Sequence, residues 1–375
     1  MILGILLVFL YPTPALAAET ENWEDTLDIS AYEDMLVDLD QMLETEDVRL
    51  TELWQEFRQG ETSDFWQQLP GLLGDMFFSH LKDCGKMLSA VLALSLFAVL
   101  LTMLKDNSSG QAAEVSRWVI YLLLLAIAIL GFDDAVSAAR QGVEQLSALL
   151  MGSLPIILPL LAAMGGSVTV TTISPLLLGG VEIMMLIMSN IIFPLLYFAG
   201  ILRVVGCMTS RFPISGLADL FHDFSLGLMS IVSTVFIAIL GFVGVAGASI
   251  DGLTMKAAKT AAGAFIPVVG RTLSDVMDSL LGTALLLKNA IGLAGVVAIL
   301  LICATPAIRL LLQSLIFRIT GALIQPLGEK ELSQALTGMG KSLTKLFAAL
   351  AICGLFAFFT MALVVGLGMV TMMMR

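Results

Sequence analysis

The sequence predicts an all-α, polytopic membrane protein with about six to eight transmembrane helices, two broken or re-entrant segments and a small helical N-terminal ectodomain. Of its 375 residues, 58% are hydrophobic and only 13% are charged, whereas soluble domains contain about 25% charged residues. The mean hydropathy is +0.95. Several apolar runs are also long enough to cross a bilayer, which takes about 20 residues.

The first 17 residues, MILGILLVFLYPTPALA, have the features of a signal peptide. An apolar stretch is followed by a proline-containing break and then by Ala15-Leu16-Ala17, which fits the small-x-small pattern of a cleavage site. A basic n-region is missing, so an uncleaved anchor is the alternative. In either case the chain from Ala18 onward is expected on the outer face of the membrane.

The segment 18–86 is predicted to be an acidic ectodomain. It contains 18 acidic and four basic residues, so the net charge of −12 for the whole chain comes from this segment. Two short helices are expected here, and they pair with each other or with a partner protein. The alternative is an acidic, solvated spacer.

Capping and periodicity support both helices of the ectodomain. Ser30 and Glu33 fit a capping box for the first helix, and Asp47 is placed to cap the second. Each helix has one apolar face, and Gly60 follows the second helix. These faces consist of Leu36, Leu39 and Leu43 in the first helix and of Leu50, Leu53, Trp54 and Phe57 in the second.

The membrane domain is predicted to cover residues 87–375. Its candidate spans are 87–104, about 116–132, 176–202, 224–250, 289–308 and 346–374. Two further apolar pieces are irregular. The piece 146–173 is broken by Pro155, Pro159 and Gly165-Gly166, and the piece 264–288 is interrupted by charged residues.

The distribution of Lys and Arg indicates what the two irregular pieces do, because cytoplasmic loops carry the basic excess. If 146–164 spans the membrane and 264–288 stays in a loop, seven of the 15 basic residues in the membrane domain are cytoplasmic. If both pieces enter from the outer face and return, nine of the 15 are cytoplasmic. We prefer the second arrangement. In it, 309–328 is a cytoplasmic interfacial helix that contains Arg309 and Arg318; a seventh full span is the alternative.

Two parts of the membrane domain form a candidate internal repeat, 146–211 and 264–318. In each, a piece broken by Pro and Gly is followed by a long span and then by a basic segment. Broken segments at corresponding positions of two halves indicate a pathway or binding site between them. The sequence therefore predicts such a site at the interface of the two repeats.

Glu182 is a candidate pathway residue, because intramembrane ionisable groups are costly and are functional candidates by default. It follows Gly179-Gly180 near the start of a long apolar span, where it is suited to face a polar pathway or to bind a cation. The alternative is a carboxylate at the level of the interface that extends outward.

Asp275 and Asp278 are three residues apart and so share a helix face, with Arg271 one turn earlier. Two carboxylates on one face resemble a catalytic or cation-binding pair. Intramembrane aspartyl chemistry generally takes its two acids from different segments, and Arg271 offers a charge partner. We therefore favour a charge-paired polar face that lines a cavity or a subunit contact.

Helix packing is expected along one face rich in small residues, because spacing of the small-xxx-small type allows close helix approach. This face consists of Gly241, Gly244, Gly247, Ala248 and Gly252. Asn190 and Pro194 lie in the middle of another span. Proline frees a backbone carbonyl there and Asn190 can satisfy it, so a structural kink is the preferred interpretation, with Asn190 kept as a pathway or assembly candidate.

No sequence feature indicates an enzyme, a metal site or a cofactor. The four Cys are isolated, the 21 Met suit core and lipid contacts, and the two His, His80 and His222, lie in different regions. The HExxH and P-loop patterns are missing, and so is a paired Cys/His site. An ATPase, a zinc protease or an intramembrane protease is therefore disfavoured.

Three stretches of the sequence resemble stage III sporulation protein AE of endospore-forming Firmicutes. They are FIPVVGRTLSDVMDSLLGTALLLKNAIGLAGVVAILLICATPAIRLL, ALIQPLGEKELSQALTGMGKSLTKLFAAL and TTISPLLLGGVEIMM. The signal-like start, the acidic helical ectodomain and the multi-span body follow the order of that family. The short, uncharged n-region is the one departure.

The resemblance implies a polytopic protein of the mother-cell membrane around the forespore, within a channel or secretion-like complex needed for forespore development. It implies other stage III sporulation membrane proteins as partners, besides the lipid bilayer, and an ectodomain on the intermembrane side. It assigns no catalytic residue and no cofactor. Nucleic acid is not expected as a partner, and a homo-oligomer is an option. The alternative function is an ion-coupled secondary transporter or permease with its site between the two broken segments.

Overall fold

The computed structural model is helical throughout the part of the chain that it describes. That part comprises residues 30–42, 49–59, 63–105, 111–163, 167–208, 215–263, 270–327 and 330–373, and no strand occurs in it. The signal-like start, Leu43, Asp47 and Gly60 lie outside the described residues. The all-α prediction is confirmed.

Nine α-helices follow one another along the described chain. In order they are α1 (Ser30–Met42), α2 (Leu50–Gln59), α3 (Ser63–Lys105), α4 (Gln111–Ala163), α5 (Ser167–Ile187), α6 (Phe193–Met208), α7 (Ser215–Gly263), α8 (Gly270–Ile324) and α9 (Lys330–Met373). A π-helical turn, Met188–Ile192, joins α5 to α6, and a 3₁₀ turn, Gln325–Leu327, follows α8.

Five segments of the described chain are long and apolar enough to cross a membrane. They are Leu125–Ala162, Pro175–Gly206, Gly216–Val243, Leu287–Ile324 and Lys330–Gly366. This confirms the prediction of a polytopic membrane protein. The segments of α4 and α8 each have 38 residues, or about 57 Å of helix, so both extend well beyond a hydrocarbon layer of about 30 Å.

Helix α4 joins two pieces that the sequence analysis kept apart. The predicted span 116–132 and the irregular piece from residue 146 belong to one helix of 53 residues, which continues through Pro155 and Pro159. Neither proline breaks the helix, because neighbouring helices can support the freed backbone groups. The predicted break at Gly165-Gly166 falls between α4 and α5, outside the described residues.

Helix α8 is likewise continuous and has no reversal between Gly270 and Ile324. Residues 270–288 therefore lead straight into the span 289–308 rather than dipping into the membrane and returning. Residues 309–324 continue the same helix and do not form a separate interfacial helix. Within this helix Arg309 forms an ion pair with Asp134 of α4 at 3.2 Å.

The two segments of the candidate repeat have different architectures in the described chain. Residues 146–211 contain the end of α4 and then α5 and α6, which are separate helices. Residues 270–318 are a single helix. The described helices therefore give no support to an internal repeat.

Helices α8 and α9 form an antiparallel hairpin, because residues late in α8 meet residues early in α9. A Cβ atom on Gly321 would contact Thr337, whereas a Cβ atom on Gly295 would contact Met361. The Ser314 hydroxyl also donates to the carbonyl of Gly340 at 2.8 Å. Glycines at such positions allow close helix approach, which is a common way to pack membrane helices.

The remaining spans pack around this hairpin. Gly142 of α4 lies against Pro306 of α8 and Leu350 of α9, so α4 contacts both of its helices. The rings of Phe236 in α7 and Phe356 in α9 are stacked with centroids 4.0 Å apart. The bundle core is therefore a continuous apolar contact between α4, α7, α8 and α9.

The two N-terminal helices pair with each other, as one of the sequence interpretations predicts. Asp40 of α1 accepts hydrogen bonds from the backbone N–H groups of Leu50 and Thr51 at 2.5 and 3.0 Å, so Asp40 caps α2. The indole N–H of Trp54 donates to Glu33 at 3.2 Å. The pair also packs on the bundle, with α1 against α4 and α2 against α8.

Helix α3 follows the two N-terminal helices and contacts one end of the bundle. Its Cys84 packs against Leu312 and Ile316 of α8. Residues in contact lie on the same side of a membrane, so Cys84 and the 312–316 turns share a side. The predicted outer ectodomain and the predicted cytoplasmic location of 309–328 therefore cannot both hold.

Candidate functional site: a polar stripe on α4

A row of exposed polar side chains follows one face of α4, and we call it the polar stripe. It consists of Asp133, Asp134, Ser137, Arg140, Gln141 and Glu144, all of which are exposed. Their spacing of three and four residues places them on the same side of the helix. Farther along α4 the exposed residues are Ala148, Pro155 and Pro159, which are apolar. The polar stripe therefore ends at Glu144.

A hydrogen bond fixes the depth of the polar stripe in the bundle. A terminal N–H of Arg140 donates to Oδ1 of Asn190 at 3.0 Å. Asn190 lies within the uncharged segment 183–202, which Glu182 and Arg203 bound. This segment of 20 residues is about 30 Å long, which equals the hydrocarbon thickness. Arg140 is therefore located near the middle of the apolar layer.

Arg140 also pairs with a carboxylate on its own helix. Its Nε lies 3.2 Å from Oε1 of Glu144, one turn later, and the two side chains remain 49% and 61% exposed. Ionisable groups at this depth usually face a bundle interior or a water-filled cavity. In this bundle they lie on the outer surface of α4, with half of each side chain uncovered.

Cross-helix contacts hold the other end of the polar stripe. Asp134 is paired with Arg309 of α8 at 3.2 Å. The carboxylate of Asp133 lies beside the hydroxyl of Tyr197 in α6. The Tyr197 ring stacks on Phe132 with centroids 5.6 Å apart. The polar stripe is thus fixed to α8, α6 and the π-helical turn, which keeps its face at a defined orientation.

The π-helical turn places Asn190 for its contact with Arg140. Pro194 lacks a backbone N–H, so the regular hydrogen-bond pattern cannot continue one turn before it. The chain responds with a π-helical turn over Met188–Ile192, a feature that often accompanies functional sites. The Asn190 side chain bonds to α4 and thereby links the irregular turn to the polar stripe.

The other candidate pathway residues lie apart from the polar stripe. Glu182 is exposed and is eight residues before Asn190, or about 12 Å along the helix. Asp275 and Asp278 lie near the start of α8, where their side chains are outside the described part. Arg271 is 38 residues before Arg309 on the same helix, about 57 Å away. The acidic pair and Arg271 are therefore far from Arg140.

The predicted small-residue face of α7 has no close neighbour at the one position where side-chain surroundings are described. A Cβ atom on Gly241 would have nothing within 4 Å. The remaining positions, Gly244, Gly247, Ala248 and Gly252, lie in α7, but their side chains are outside the described part. Close approach occurs instead at glycines that the sequence analysis did not single out, such as Gly142 and Gly200.

The sequence analysis missed Arg140 and Glu144 because it treated 133–144 as a connection between two apolar pieces. A helical signal was nevertheless present. Ala135, Ala139 and Val143 recur every four residues opposite the polar positions, and all three are buried. Searching this stretch for a period of 3.6 residues would have identified an amphipathic helix.

The metal-ligating side chains of the described part do not cluster. No group of three or more His, Cys, Asp or Glu residues within it has an arrangement that could hold a metal ion. Cys84 and Cys353 are buried and unbridged, and Cys303 is partly buried and unbridged, as expected for packing residues.

Comparison with known proteins places most of the chain in one family. The sequence model of the family described as Stage III sporulation protein AE matches residues 48–368. A Bacillus subtilis (strain 168) protein named Stage III sporulation protein AE is 31% identical over 321 residues, which cover 85% of this chain and 80% of that protein. No solved structure matches the chain. The matched region includes the whole polar stripe.

Proposed function

Because the chain belongs to the stage III sporulation protein AE family, we propose that it is a non-enzymatic membrane subunit of the complex that links mother cell and forespore during sporulation. In this proposal the complex is channel-like or secretion-like and supports forespore development. The partners of the chain are other stage III sporulation membrane proteins. The chain itself supplies part of the membrane structure and uses no cofactor.

The polar stripe is the observation that carries this proposal. An Arg or Asp at the centre of a transmembrane helix costs about 2.5–3.5 kcal/mol on insertion scales. Arg140 and Glu144 offset part of that cost by pairing, but about half of each side chain is exposed on the surface of a single copy. Lipid alone leaves these exposed polar groups without hydrogen-bond partners. A subunit of an assembly can place it against water or polar groups.

For the location, we propose the mother-cell membrane around the forespore, with the acidic ectodomain in the space between the two membranes. The signal-like start supports this orientation, and so does the small number of basic residues in 18–86, which is four. The contact of Cys84 with Leu312 and Ile316 then puts the α8–α9 connection on the same side. This arrangement disagrees with the distribution of basic residues, which favours a cytoplasmic location for 309–328. Measuring the side of the membrane on which α3 and α9 begin therefore tests the proposal.

Sidedness can be measured with two single cysteines in a chain whose four native cysteines are replaced. Asp75→Cys on α3 and Lys330→Cys on α9 both change exposed residues. In right-side-out vesicles, a membrane-impermeant thiol reagent should label both positions without permeabilisation. Labelling of both only in inverted vesicles would reverse the proposed orientation, and labelling of one alone would contradict the contact at Cys84.

An ion-coupled transporter is the second candidate function, and Glu144 is the observation that favours it. A carboxylate that is paired on one side and exposed on the other, at the middle of the apolar layer, is suited to exchange an ion. The two functions differ in what the isolated chain can do. Transport by the purified chain in liposomes would support the transporter and would make the subunit proposal insufficient.

The test of the subunit proposal compares two charge removals in the sporulating host. Glu144→Gln alters the polar stripe, whereas Lys341→Gln removes an exposed charge at the end of the bundle. We expect Glu144→Gln to lower the yield of heat-resistant spores and the recovery of co-purifying membrane proteins by about tenfold, because it removes a charge from the surface that meets the assembly. Lys341→Gln should change neither. Normal sporulation of the Glu144 variant would contradict the proposal.

A further inference from the structure

We propose that the polar stripe lines a water-filled recess, which opens at the Arg309 end of the bundle and ends at Arg140 and Glu144, about halfway across the apolar layer. The inference rests on the proposed function, because a single copy has no second wall to keep lipid away from α4. Beyond the proposed function, the inference states that water occupies the site and how deep into the membrane this water reaches.

The position of Arg309 defines the open end of the recess. On α8 the 20 residues between Lys288 and Arg309 are uncharged and span about 30 Å, so Arg309 lies at one edge of the apolar layer. Asp134 pairs with Arg309 and is therefore at that edge. The polar stripe thus begins at the level of Arg309, and the exposed residues that precede it on the same face of α4, such as Leu122, Leu123 and Leu130, are apolar.

The extent of the polar stripe defines the closed end. From Asp133 to Glu144 is 11 residues, or about 16 Å along the helix, which is roughly half of the hydrocarbon thickness. The next exposed residues on this face are Ala148, Pro155 and Pro159. Polar surface on α4 therefore reaches the middle of the layer and stops, which describes a recess rather than a continuous pore.

The hydrogen-bonding capacity of Arg140 favours water as the occupant. A guanidinium has five N–H donors, and the described contacts of Arg140 use its Nε and one terminal nitrogen. Ser137 and Gln141 on the same face are also exposed and polar. A lipid chain satisfies none of these groups. Water satisfies donors and acceptors of both signs without a matched protein surface.

The exposed face of α7 differs from the polar stripe of α4 in its residues. From Ile231 to Phe242 its outward residues include Ile231, Val235, Ile237 and Phe242, each 45–64% exposed, whereas the exposed carboxylates Asp219 and Asp223 lie near the start of the helix. A face of this kind needs only lipid. Two membrane-length helices of the same bundle thus have surfaces suited to different surroundings, and the surface of α4 is suited to water.

The test uses single cysteines in the chain without native cysteines, in membrane vesicles from the sporulating host, where the assembled complex is present. Ser137→Cys and Gln141→Cys lie in the proposed recess. Ala148→Cys lies beyond its end, and Ile237→Cys lies on the apolar face of α7. Each variant is compared with the cysteine-free parent for its amount in the membrane fraction, which controls for folding and insertion. A charged, membrane-impermeant methanethiosulfonate is the probe, and a permeant maleimide confirms that each thiol is present.

We expect the impermeant probe to react at residues 137 and 141 at least about tenfold faster than at residues 148 and 237. Equally slow reaction at all four positions would overturn the recess. Fast reaction at residue 148 would also overturn it, in favour of a continuous aqueous path. A spin label at each position provides a second readout. A water-soluble nickel complex should relax the labels at residues 137 and 141 more strongly, whereas oxygen, which partitions into hydrocarbon, should relax those at residues 148 and 237 more strongly.

The outcomes separate this inference from the proposed function. If the Glu144 variant loses sporulation and partner proteins while residues 137 and 141 stay unreactive, the subunit role stands and the recess is wrong. If residues 137 and 141 react but the chain purifies from sporulating cells without partners, the recess stands on its own evidence and the subunit role is wrong.

Discussion

Helices α4 and α7 both cross the apolar layer with one face on the outside of the bundle. Their polar side chains differ in where they form hydrogen bonds. On α7, the hydroxyls of Ser230, Ser233 and Thr234 donate to carbonyl oxygens of their own helix at 2.8–3.0 Å. On α4, Arg140 and Glu144 extend outward and stay half exposed.

The difference shows how a polar residue can be compatible with lipid. A hydroxyl can return its hydrogen bond to the turn before it, so the part of α7 from Ile231 to Phe242 stays compatible with lipid on its outside. A guanidinium or carboxylate has more capacity than its own helix can satisfy. The exposed side of α4 therefore has to face something polar, whereas α7 does not.

The largest expected effect comes from removing one charge of the pair on α4. Arg140→Met leaves Glu144 unpaired at the middle of the layer. Breaking a fully buried pair costs about 3–5 kcal/mol, so this half-exposed pair should lose about 1–3 kcal/mol of stability, discounted for solvent screening. The measurement is the midpoint of thermal unfolding in a fixed detergent.

The double variant Arg140→Met/Glu144→Met is the matched control for that experiment. We expect it to recover most of the lost stability, because no lone charge remains, but not to recover sporulation. Recovery of both would mean that the exposed face of α4 needs only lipid, and the contrast with α7 would disappear.

The next effect compares a glycine on each helix. Gly142→Leu puts a side chain where a Cβ atom would already lie 2.9 Å from Pro306, so we expect about 1–3 kcal/mol of destabilisation from overpacking. Gly241→Leu on α7 has open space around it, and a gain of roughly 0.5–1 kcal/mol in helix propensity is expected.

Unfolding midpoints of the two leucine variants measure this difference. If Gly241→Leu leaves stability intact but abolishes recovery of partner proteins, the small-residue face of α7 is a contact with another subunit. If Gly142→Leu is neutral, α4 does not pack on Pro306 as closely as the structure has it.

The smallest effect concerns a single hydroxyl on each helix. Thr234→Val removes a hydroxyl that bonds to Ser230 of the same helix, and Ser137→Val removes one from the polar stripe. Both should change stability by less than about 0.5 kcal/mol, as surface substitutions usually do. Only Ser137→Val should slow the reaction of the impermeant methanethiosulfonate with a cysteine that replaces Gln141. The reason is that the valine makes the wall of the recess less polar. Equal rates for the two variants would remove the distinction.

Sequence reasoning identified the apolar helices because their composition alone requires them to be buried in lipid or protein. It did not identify α4 as one helix, because the polar residues between its two apolar parts resemble a loop until the bundle supplies a partner. Arg140 meets Asn190 across 50 residues of chain, and Asp134 meets Arg309 on a different helix. Such pairings depend on which helices become neighbours, and local sequence does not contain that information.

The same reason explains the glycines. A run of small residues on α7 matched a known packing pattern, but the tight contacts formed at Gly142 and Gly295, which were not predicted as packing positions. Glycine permits close approach wherever two helices cross, and the crossing points are set by the whole bundle. Asn190 was identified because a polar residue beside proline in a span is conspicuous, although its partner was not.

The contact of Cys84 with Leu312 and Ile316 also means that α3 is synthesised well before the helix that it packs against. The two sides of this contact are 228 residues apart in the chain, and translation at about 5–20 residues per second separates their synthesis by roughly 10–45 s. During that interval the apolar surface of α3 and the paired helices before it have no α8 to pack against. A chaperone or an earlier-made subunit that shields this surface would therefore act while the chain is still on the ribosome.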